Sequence, residues 1–276
     1  MYYTRLRATC PPDFTEILIA ETAEAGFDTF METSDGFEAF AEEDRYDTAL
    51  LEEIRQRYAA TCAPEFALDR VQKENWNEQW EKSFEPVVVG EECIVRAEFH
   101  RPDKHYPYEI VITPKMSFGT GHHATTWLML HAQLSLDHQG KAVMDAGCGT
   151  AILAIMACMR GAKSVDAFDI DEWSTVNGQE NLDNNHCEQV NLRQGTIRSL
   201  TFSHRFDILL ANINRNVLLS DMDAFSAYLV PGGKLLLSGF YESDVPDLLA
   251  SATANGFSFE RQEVREGWCS LLLMKG

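Results

Sequence analysis

The stretch VMDAGCGTAILAIMA, residues 143–157, joins a strand-like apolar run to a helix-like apolar run through a glycine-rich turn. Gly147 and Gly149 lie in that turn, and Asp145 precedes them. Turns of this kind bind nucleotides in doubly wound α/β folds, because glycine lets the backbone approach a ligand closely. The stretch therefore predicts a nucleotide-binding turn with a carboxylate beside it.

The segments that follow this turn alternate between strand and helix patterns, which is typical of a parallel, doubly wound sheet. A helix is predicted through Phe225, followed by a strand over 232–240 and a helix over 243–256. Two last strands, 258–267 and 268–276, follow with no helix between them. They predict an antiparallel edge strand, because a short hairpin connection can join only antiparallel strands.

The amino-terminal part of the chain has a different pattern. Residues 1–73 read as β-α-β-β-α-β, which predicts a small α+β sandwich of the ferredoxin-like type. Residues 74–86 are polar, and Trp76 and Trp80 would lie on one face of a short connector helix. The predicted organisation is a small domain over 1–73, a connector over 74–86 and a larger domain over 87–276.

Composition narrows the choice of partners and compartment. The 276 residues carry a formal net charge of −20, which repels phosphate backbones and attracts basic partners, so direct binding of nucleic acid is disfavoured. No run approaches the roughly 18 apolar residues that a membrane span needs. The seven cysteines form no CxxC pair, so we expect no metal site and reduced thiols in a cytoplasmic protein.

The residues of the turn argue against a dinucleotide. Ile152 occupies the position of the third glycine of the dinucleotide fingerprint, and Asp145 would repel a pyrophosphate. S-adenosylmethionine has no phosphate, and its ammonium and sulfonium groups are favoured by a nearby carboxylate. Asp169, at the end of the next predicted strand, suits the two hydroxyls of a ribose. These features predict an S-adenosylmethionine site.

Two other segments are candidates for the same site. The loop FGTGHHATT, residues 118–126, precedes a predicted helix, which Thr125 or Thr126 could cap. ANIN, residues 211–214, follows the fourth strand of the larger domain, beside the switch point where ligands bind. The amide oxygen of Asn212 could orient an incoming amine or bind the cofactor, and the alternative is that Asn212 only forms a turn.

At these residues the chain resembles the ribosomal protein L11 methyltransferases. The likeness covers nearly the whole chain and rests on NWNEQWEKSFEP, FGTGHHATT, DAGCGTAILAI, FDIDE, and ANI followed by PGGKLLLSGF. It implies a class I S-adenosylmethionine-dependent methyltransferase fold and N-methylation of ribosomal protein L11 at its α-amine and lysine ε-amines. It also implies that the amino-terminal sandwich recognises the substrate and that the connector is mobile.

The resemblance also implies which residues hold the cofactor. Those that match its cofactor contacts, or neighbour them in the pocket, are Thr126, Gly147, Asp169, Asn212, Phe118, Thr120, Asp145 and Gly149. Two departures stand out: Ala151 replaces a frequent third glycine, and Lys115-Met116-Ser117 replaces a frequent Gly-Leu-Ala. Because Ala151 is small and expected in the first helical turn, we expect cofactor binding to persist.

The implied reaction is an in-line displacement in which a neutral amine attacks a methyl group and a sulfonium leaves as a thioether. Charge moves from sulfur to nitrogen, so alignment of the reacting atoms supplies most of the catalysis. Asn212 would orient the amine, and the sequence identifies no general base. Cys148 lacks a nearby base and is interpreted as a packing residue, and the adjacent His122 and His123 as loop residues.

Three other functions compete with this one. A nicotinamide oxidoreductase is disfavoured by Ile152 and Asp145, as described above. Methyltransferases of nucleic-acid bases or of glutamine usually have Pro-Pro and an aromatic after the Asn or Asp, whereas Ile213-Asn214-Arg215 follows Asn212 here. A non-catalytic binding module would not explain three pocket elements at suitable positions along one chain.

Overall fold

The structure is a computed structural model, and it describes residues 2–27, 29–33, 35–42, 45–59, 61–72, 85–113 and 121–276. The chain divides into two compact units, Met1–Ser83 and Phe84–Gly276, and each is described by itself. Most of the predicted connector, including Trp76 and Trp80, lies outside the described residues. Within the described ranges, no helix combines the length and apolar character that a membrane-spanning helix needs.

The amino-terminal unit is one antiparallel sheet with two helices, in the strand order β2-β3-β1-β4. This is the predicted ferredoxin-like arrangement, which is confirmed. Its elements are β1 (Tyr2–Thr9), α1 (Pro12–Glu24), β2 (Thr29–Thr33), β3 (Gly36–Glu42), α2 (Thr48–Tyr58) and β4 (Glu65–Gln72).

Local sequence signals explain these boundaries. Helix α1 ends before Gly26, which takes the left-handed conformation (φ 98°) that glycine adopts without strain. Helix α2 begins after Asp47, whose carboxylate accepts the backbone N–H groups of Ala49 and Leu50 at 2.8 and 3.1 Å. Leu6 of β1 and Ile54 of α2 are buried in the core between the sheet and the helices.

The carboxy-terminal unit begins with a small three-stranded sheet in the order β5-β6-β7. Its strands are β5 (Val87–Val89), β6 (Cys93–Arg96) and β7 (Tyr108–Val111), and α3 (Ala124–Leu134) follows. Eight of the residues of α3 are buried, and this burial accounts for the apolar residues on nearly every side of the helix.

The main sheet of this unit has seven strands in the order β10-β9-β8-β11-β12-β14-β13. Only β14 runs in the reverse direction, so the predicted, mostly parallel sheet with one antiparallel strand is confirmed. That strand was expected at the edge, but it lies one position inside it, between β12 and the edge strand β13. Its elements are β8 (Ala142–Ala146), α4 (Ile152–Met159), β9 (Ser164–Asp169), α5 (Glu172–Asn184), β10 (Val190–Gln194), β11 (Phe206–Asn212), α6 (Arg215–Tyr228), β12 (Leu229–Tyr241), α7 (Val245–Ala254), β13 (Phe257–Arg265) and β14 (Trp268–Lys275).

Three predicted boundaries differ from the structure. Helix α6 continues past Phe225 to Tyr228, because its last turn packs aromatic side chains against the core. Strand β12 begins at Leu229, earlier than expected, and runs through Gly232 and Gly233. Helix α7 begins only at Val245, because residues 242–244 form a separate 3₁₀ turn.

The order of the strands places the switch point at the centre of the sheet. After β8 the chain proceeds through β9 and β10 to one edge, and then returns to build β11 on the other side of β8. All five residues of β8 are buried, with one apolar core on each face of the sheet. The carboxyl ends of β8 and β11 therefore flank a crevice, where ligands of doubly wound folds bind.

Candidate functional site

The glycine turn after β8 is held in an unusual backbone conformation. Gly147 (φ 71°) and Gly149 (φ 53°) are both left-handed, which glycine adopts without the steric cost of a Cβ. The N–H groups of Gly147 and Cys148 both donate to the carbonyl of Phe168, at 2.9 and 3.0 Å. These bonds tie the turn to the end of β9.

Close packing also requires glycine at the first of these positions. A Cβ on Gly147 would lie 2.3 Å from Cγ2 of Ile213, which belongs to the ANIN segment. Ile213 follows β11, so the turn after β8 and the turn after β11 are in contact. Only glycine at position 147 allows the two turns to approach so closely.

Ala151 occupies an unexpected position in this turn. It was predicted to lie in the first turn of the helix, which is wrong: it is the residue before α4, with φ 62° and ψ 18°. For a residue other than glycine the left-handed conformation costs about 1–2 kcal/mol. The tight path from Gly147 to α4 imposes this conformation, which explains why glycine suits the position and why the small alanine still fits.

Asp169 lies at the carboxyl end of β9 and connects two backbone segments. Its Oδ2 accepts the N–H of Gly149 at 2.9 Å, and its Oδ1 accepts the N–H of Asp171 at 3.0 Å. Each carboxylate oxygen can accept a second hydrogen bond. Asp169 thus positions the glycine turn and still has acceptor capacity toward the crevice.

Asp145 is placed differently from the expectation. The residues that line the crevice do not include it, and its side chain is fully buried beneath the turn. The reason is that its Oδ2 accepts the N–H of Ala154, in the first turn of α4, at 3.0 Å. Burial raises the pKa of this carboxyl to about 7, and the nearby Asp169 carboxylate adds to the shift.

Two roles were considered for the ANIN segment, a ligand contact and a turn. They fall to two different residues, Asn212 and Asn214. Asn214 caps α6, because its Oδ1 accepts the N–H of Val217 at 3.1 Å. Asn212, at the end of β11, lines the crevice, and its Oδ1 is buried with no hydrogen-bond partner among the described residues. A buried oxygen without a partner is rare in folded proteins and suggests that a ligand supplies the donor. The turn-forming role thus belongs to Asn214.

The predicted cap of helix α3 is corrected. His123, and not Thr125 or Thr126, precedes the helix, and its ring accepts the N–H of Thr125 at 3.3 Å. Thr125 lines the crevice, whereas Thr126 is buried, does not line it, and has no partner for its hydroxyl among the described residues. The helix begins at Ala124, two or three residues earlier than expected, so both threonines lie in its first turn. Phe118, Thr120 and Lys115-Met116-Ser117 lie outside the described residues.

The crevice is a cavity of about 560 Å³ with a mainly apolar wall. The carboxyl ends of β8, β9, β11 and β12 form it together with the starts of α3, α5, α6 and β14. Residues that represent these elements are Gly147, Asp169, Asn212, Gly239, Thr125 and Trp268. Four of the predicted cofactor residues, Gly147, Gly149, Asp169 and Asn212, therefore line one cavity.

Charge in this cavity has one sign. Asp169, Asp171 and Asp221 line it, and no lysine or arginine of the described part of the chain does. A diphosphate would find three carboxylates and no lysine or arginine, which is an unfavourable environment. A cationic ligand with an apolar or ring-like body fits the same set of residues.

Trp268 is the main lining residue that the sequence pattern does not reveal. Its ring stacks on Tyr241, with centroids 4.0 Å apart, and meets the ring of His123 edge-on at 4.7 Å. Strand pairing explains the contact, because Tyr241 and Trp268 face each other across β12 and β14. The turn before β14 carries Gly267, which is the only local signal that could have drawn attention to this residue.

Two other chemistries find little support at this site. Burial raises the pKa of the Cys148 thiol well above its usual value, which disfavours the thiolate that a nucleophile needs. Among the residues that the structure describes, no three His, Cys, Asp or Glu side chains come together in a way that could hold a metal ion.

Comparisons with known proteins agree on one family. The family model described as Ribosomal protein L11 methyltransferase (PrmA) matches residues 17–276. A ribosomal protein L11 methyltransferase of Bacteroides thetaiotaomicron is 39% identical, over 98% of this chain and 97% of its own length. One of Porphyromonas gingivalis is 41% identical, over 93% and 89%. The crystal structure of a ribosomal protein L11 methylase of Lactobacillus delbrueckii subsp. bulgaricus matches with a TM-score of 0.63 and 25% identity, covering 69% of this chain and 98% of that one.

The contact between the two turns leads to a prediction about stability. Gly147→Ala should lower the free energy of unfolding by about 2–4 kcal/mol, because it adds left-handed strain and overpacking against Ile213. Gly140→Ala is the matched control: Gly140 is also left-handed (φ 68°), but no atom of the described residues lies within 4 Å of the place its Cβ would take, so about 1 kcal/mol is expected. Urea unfolding of both variants measures the difference. Equal losses would contradict the packing argument.

Proposed function

The chain belongs to the ribosomal protein L11 methyltransferase family, and from this premise we propose that it methylates the α-amine and lysine ε-amines of ribosomal protein L11. The methyl donor is S-adenosylmethionine, and the enzyme is a protein N-methyltransferase. We place the protein in the cytoplasm, where its substrate is found and where its seven cysteines stay reduced; all seven are free thiols in the structure.

The observation that carries this proposal is the charge of the cavity. Three carboxylates and no lysine or arginine line it among the described residues, and its wall is otherwise mainly apolar. A cationic donor is stabilised by such a wall through Coulomb attraction, which is strong at short distance where little water remains. The volume of about 560 Å³ lies within the range of small-molecule sites.

Different residues of the cavity are proposed to contact different parts of the cofactor. Asp169 has acceptor capacity left for the hydroxyls of a ribose. Gly147 and Gly149 let the backbone approach the ligand, and Asn212 offers an unpaired oxygen. Thr126, Phe118 and Thr120 are proposed to complete the site, on the basis of the family resemblance alone.

The chemistry at the amine follows from the same residues. When bound, S-adenosylmethionine supplies an electrophilic methyl group on a sulfonium. The side-chain oxygen of Asn212 accepts an N–H of the target amine. This contact orients the amine, so that its nitrogen lone pair faces the place where the methyl group would lie. The carboxylates of the wall favour a charged lysine, but a bound cationic donor would offset them. Desolvation by the apolar part of the wall then lowers the pKa of an entering lysine from about 10.4, which favours the neutral amine. The released proton passes to solvent, since no general base is assigned.

The division of the chain into functional parts is also proposed. Residues 1–73 form the substrate-recognition domain, 74–86 the connector and 87–276 the methyltransferase domain. The first part has 16 acidic and 7 basic residues, a net charge of −9. A basic ribosomal protein is therefore attracted to it, and this attraction weakens as salt rises.

The proposal predicts an effect of Asn212 on turnover. With labelled S-adenosylmethionine and purified L11, the wild type should label L11 at its α-amine and at lysines, located by mass spectrometry. Asn212→Ala should lower kcat by roughly 10²-fold, because an orienting contact at the reacting nitrogen is lost. Asn216→Ala, an exposed position on α6, is the control and should leave kcat unchanged. Label found only on nucleic acid or on small metabolites would overturn the substrate assignment.

Asp145 leads to a prediction about pH. Its pKa of about 7 is high in the free protein, and a cation bound nearby favours the ionised form. Cofactor binding should therefore release a proton, and affinity should rise roughly fivefold from pH 6 to pH 7.5.

Calorimetric titrations of wild type and Asp145→Asn at both pH values test this linkage. The variant should lose the pH dependence, because an amide does not titrate in this range. An equal dependence in the two proteins would show that the charge of Asp145 does not act on the cofactor.

A further inference from the structure

The three most exposed large apolar side chains of the described residues lie close together in the chain. Trp173 is 78% exposed, Ile170 71% and Val176 55%. We call these three residues the 170–176 patch. Tryptophan is rarely so exposed, and clustered apolar side chains on a surface mark binding sites more often than isolated ones do.

The patch does not contribute to the packing of its own helix. Trp173 and Val176 are three residues apart on α5, so they lie on the same side of the helix. The opposite side supplies the buried residues, among them Asn177, Asn181 and Leu182. Folding of α5 therefore gives no reason for a tryptophan and a valine on the outer side.

The surroundings of the patch are acidic. Between Ser164 and Leu192 the chain has seven aspartate or glutamate residues and no lysine or arginine. Glu172 is exposed beside Trp173, and Asp183 is exposed further along α5. Apolar side chains surrounded by negative charge suit a partner that is both basic and partly apolar.

The patch adjoins the cavity but is not part of its wall. Ile170 lines the cavity together with Asp171 and Ser174, whereas Trp173 and Val176 do not. A ligand enclosed by the cavity would thus not use Trp173. Trp173 is thus accessible only to a molecule that extends beyond the cavity on the side of Ile170.

We propose that the 170–176 patch docks the segment of the protein substrate that flanks the target amine, through an apolar side chain of that segment and the basic residues beside it. This inference rests on the proposed function, and it adds a recognition surface within the methyltransferase domain. The patch holds the segment while the amine enters the cavity, so it acts on substrate binding and not on the transfer step.

Trp173→Ala tests the proposal, with Phe259→Ala as the matched control. Phe259 is a 53% exposed aromatic on β13, and it does not line the cavity. With purified L11, Trp173→Ala should raise KM about tenfold with kcat within twofold of the wild type, since exposed tryptophans at interfaces are frequent binding hot spots. Phe259→Ala should change neither constant.

Three further measurements separate the alternatives. Methylation of a short peptide, with one lysine flanked by glycines, should be unaffected by Trp173→Ala, because it has no apolar side chain to dock. The Kd of S-adenosylmethionine should stay within twofold, and an equal loss of cofactor affinity would overturn the proposal by making Trp173 a cofactor contact. A wild-type dimer that Trp173→Ala dissociates in sedimentation would overturn it in favour of a second copy of the chain.

Direct binding distinguishes failure of this inference from failure of the proposed function. The Kd of L11 is measured by calorimetry with S-adenosylhomocysteine present, so no transfer occurs. Tighter binding to the wild type than to Trp173→Ala supports docking independently of turnover. Normal turnover with equal Kd values would refute docking and leave the function intact. A wild type that neither binds nor methylates L11 would refute both.

Discussion

The hydrogen bond from the backbone N–H of Gly149 to Oδ2 of Asp169, at 2.9 Å, is the contact on which the site depends. It joins the turn after β8 to the end of β9, and the carbonyl of Phe168 reinforces it by accepting two further N–H groups of the turn. Because the turn is held there, Gly147 meets Ile213 of the next turn, and the ends of β8, β9 and β11 come together at one cavity. The same carboxylate is thus part of the scaffold and part of the binding surface.

Negative charge favours cations both in the cavity and over the whole chain. Around the reacting centre, the described wall of the cavity carries three aspartates and no lysine or arginine, which suits a donor with a positive charge. Across the whole chain, the net charge of −20 favours a basic protein as the substrate. The 170–176 patch adds an apolar contact to this attraction, because it combines acidic neighbours with the most exposed apolar side chains of the described residues.

Much of the site could be predicted from the sequence because strand order places its residues. Asn212 ends β11, which flanks the switch point, and Asp169 ends β9, the other neighbour of β8, so the alternation of strands and helices brings them to the same edge of the sheet. Details set by local hydrogen bonds could not be predicted in this way. Asp145 turns beneath the glycine turn to accept the N–H of Ala154, and Ala151 adopts a left-handed conformation that its side chain does not favour. Trp268 reaches the cavity only through pairing of β14 with β12, over a long separation in sequence.

Side-by-side calorimetric titration of the wild-type protein with S-adenosylmethionine and with NAD tests the central claim most directly. We expect a saturable heat with the cationic donor and none with the diphosphate, because the described cavity wall offers carboxylates and no lysine or arginine. Saturable binding of NAD with no heat from S-adenosylmethionine would contradict it.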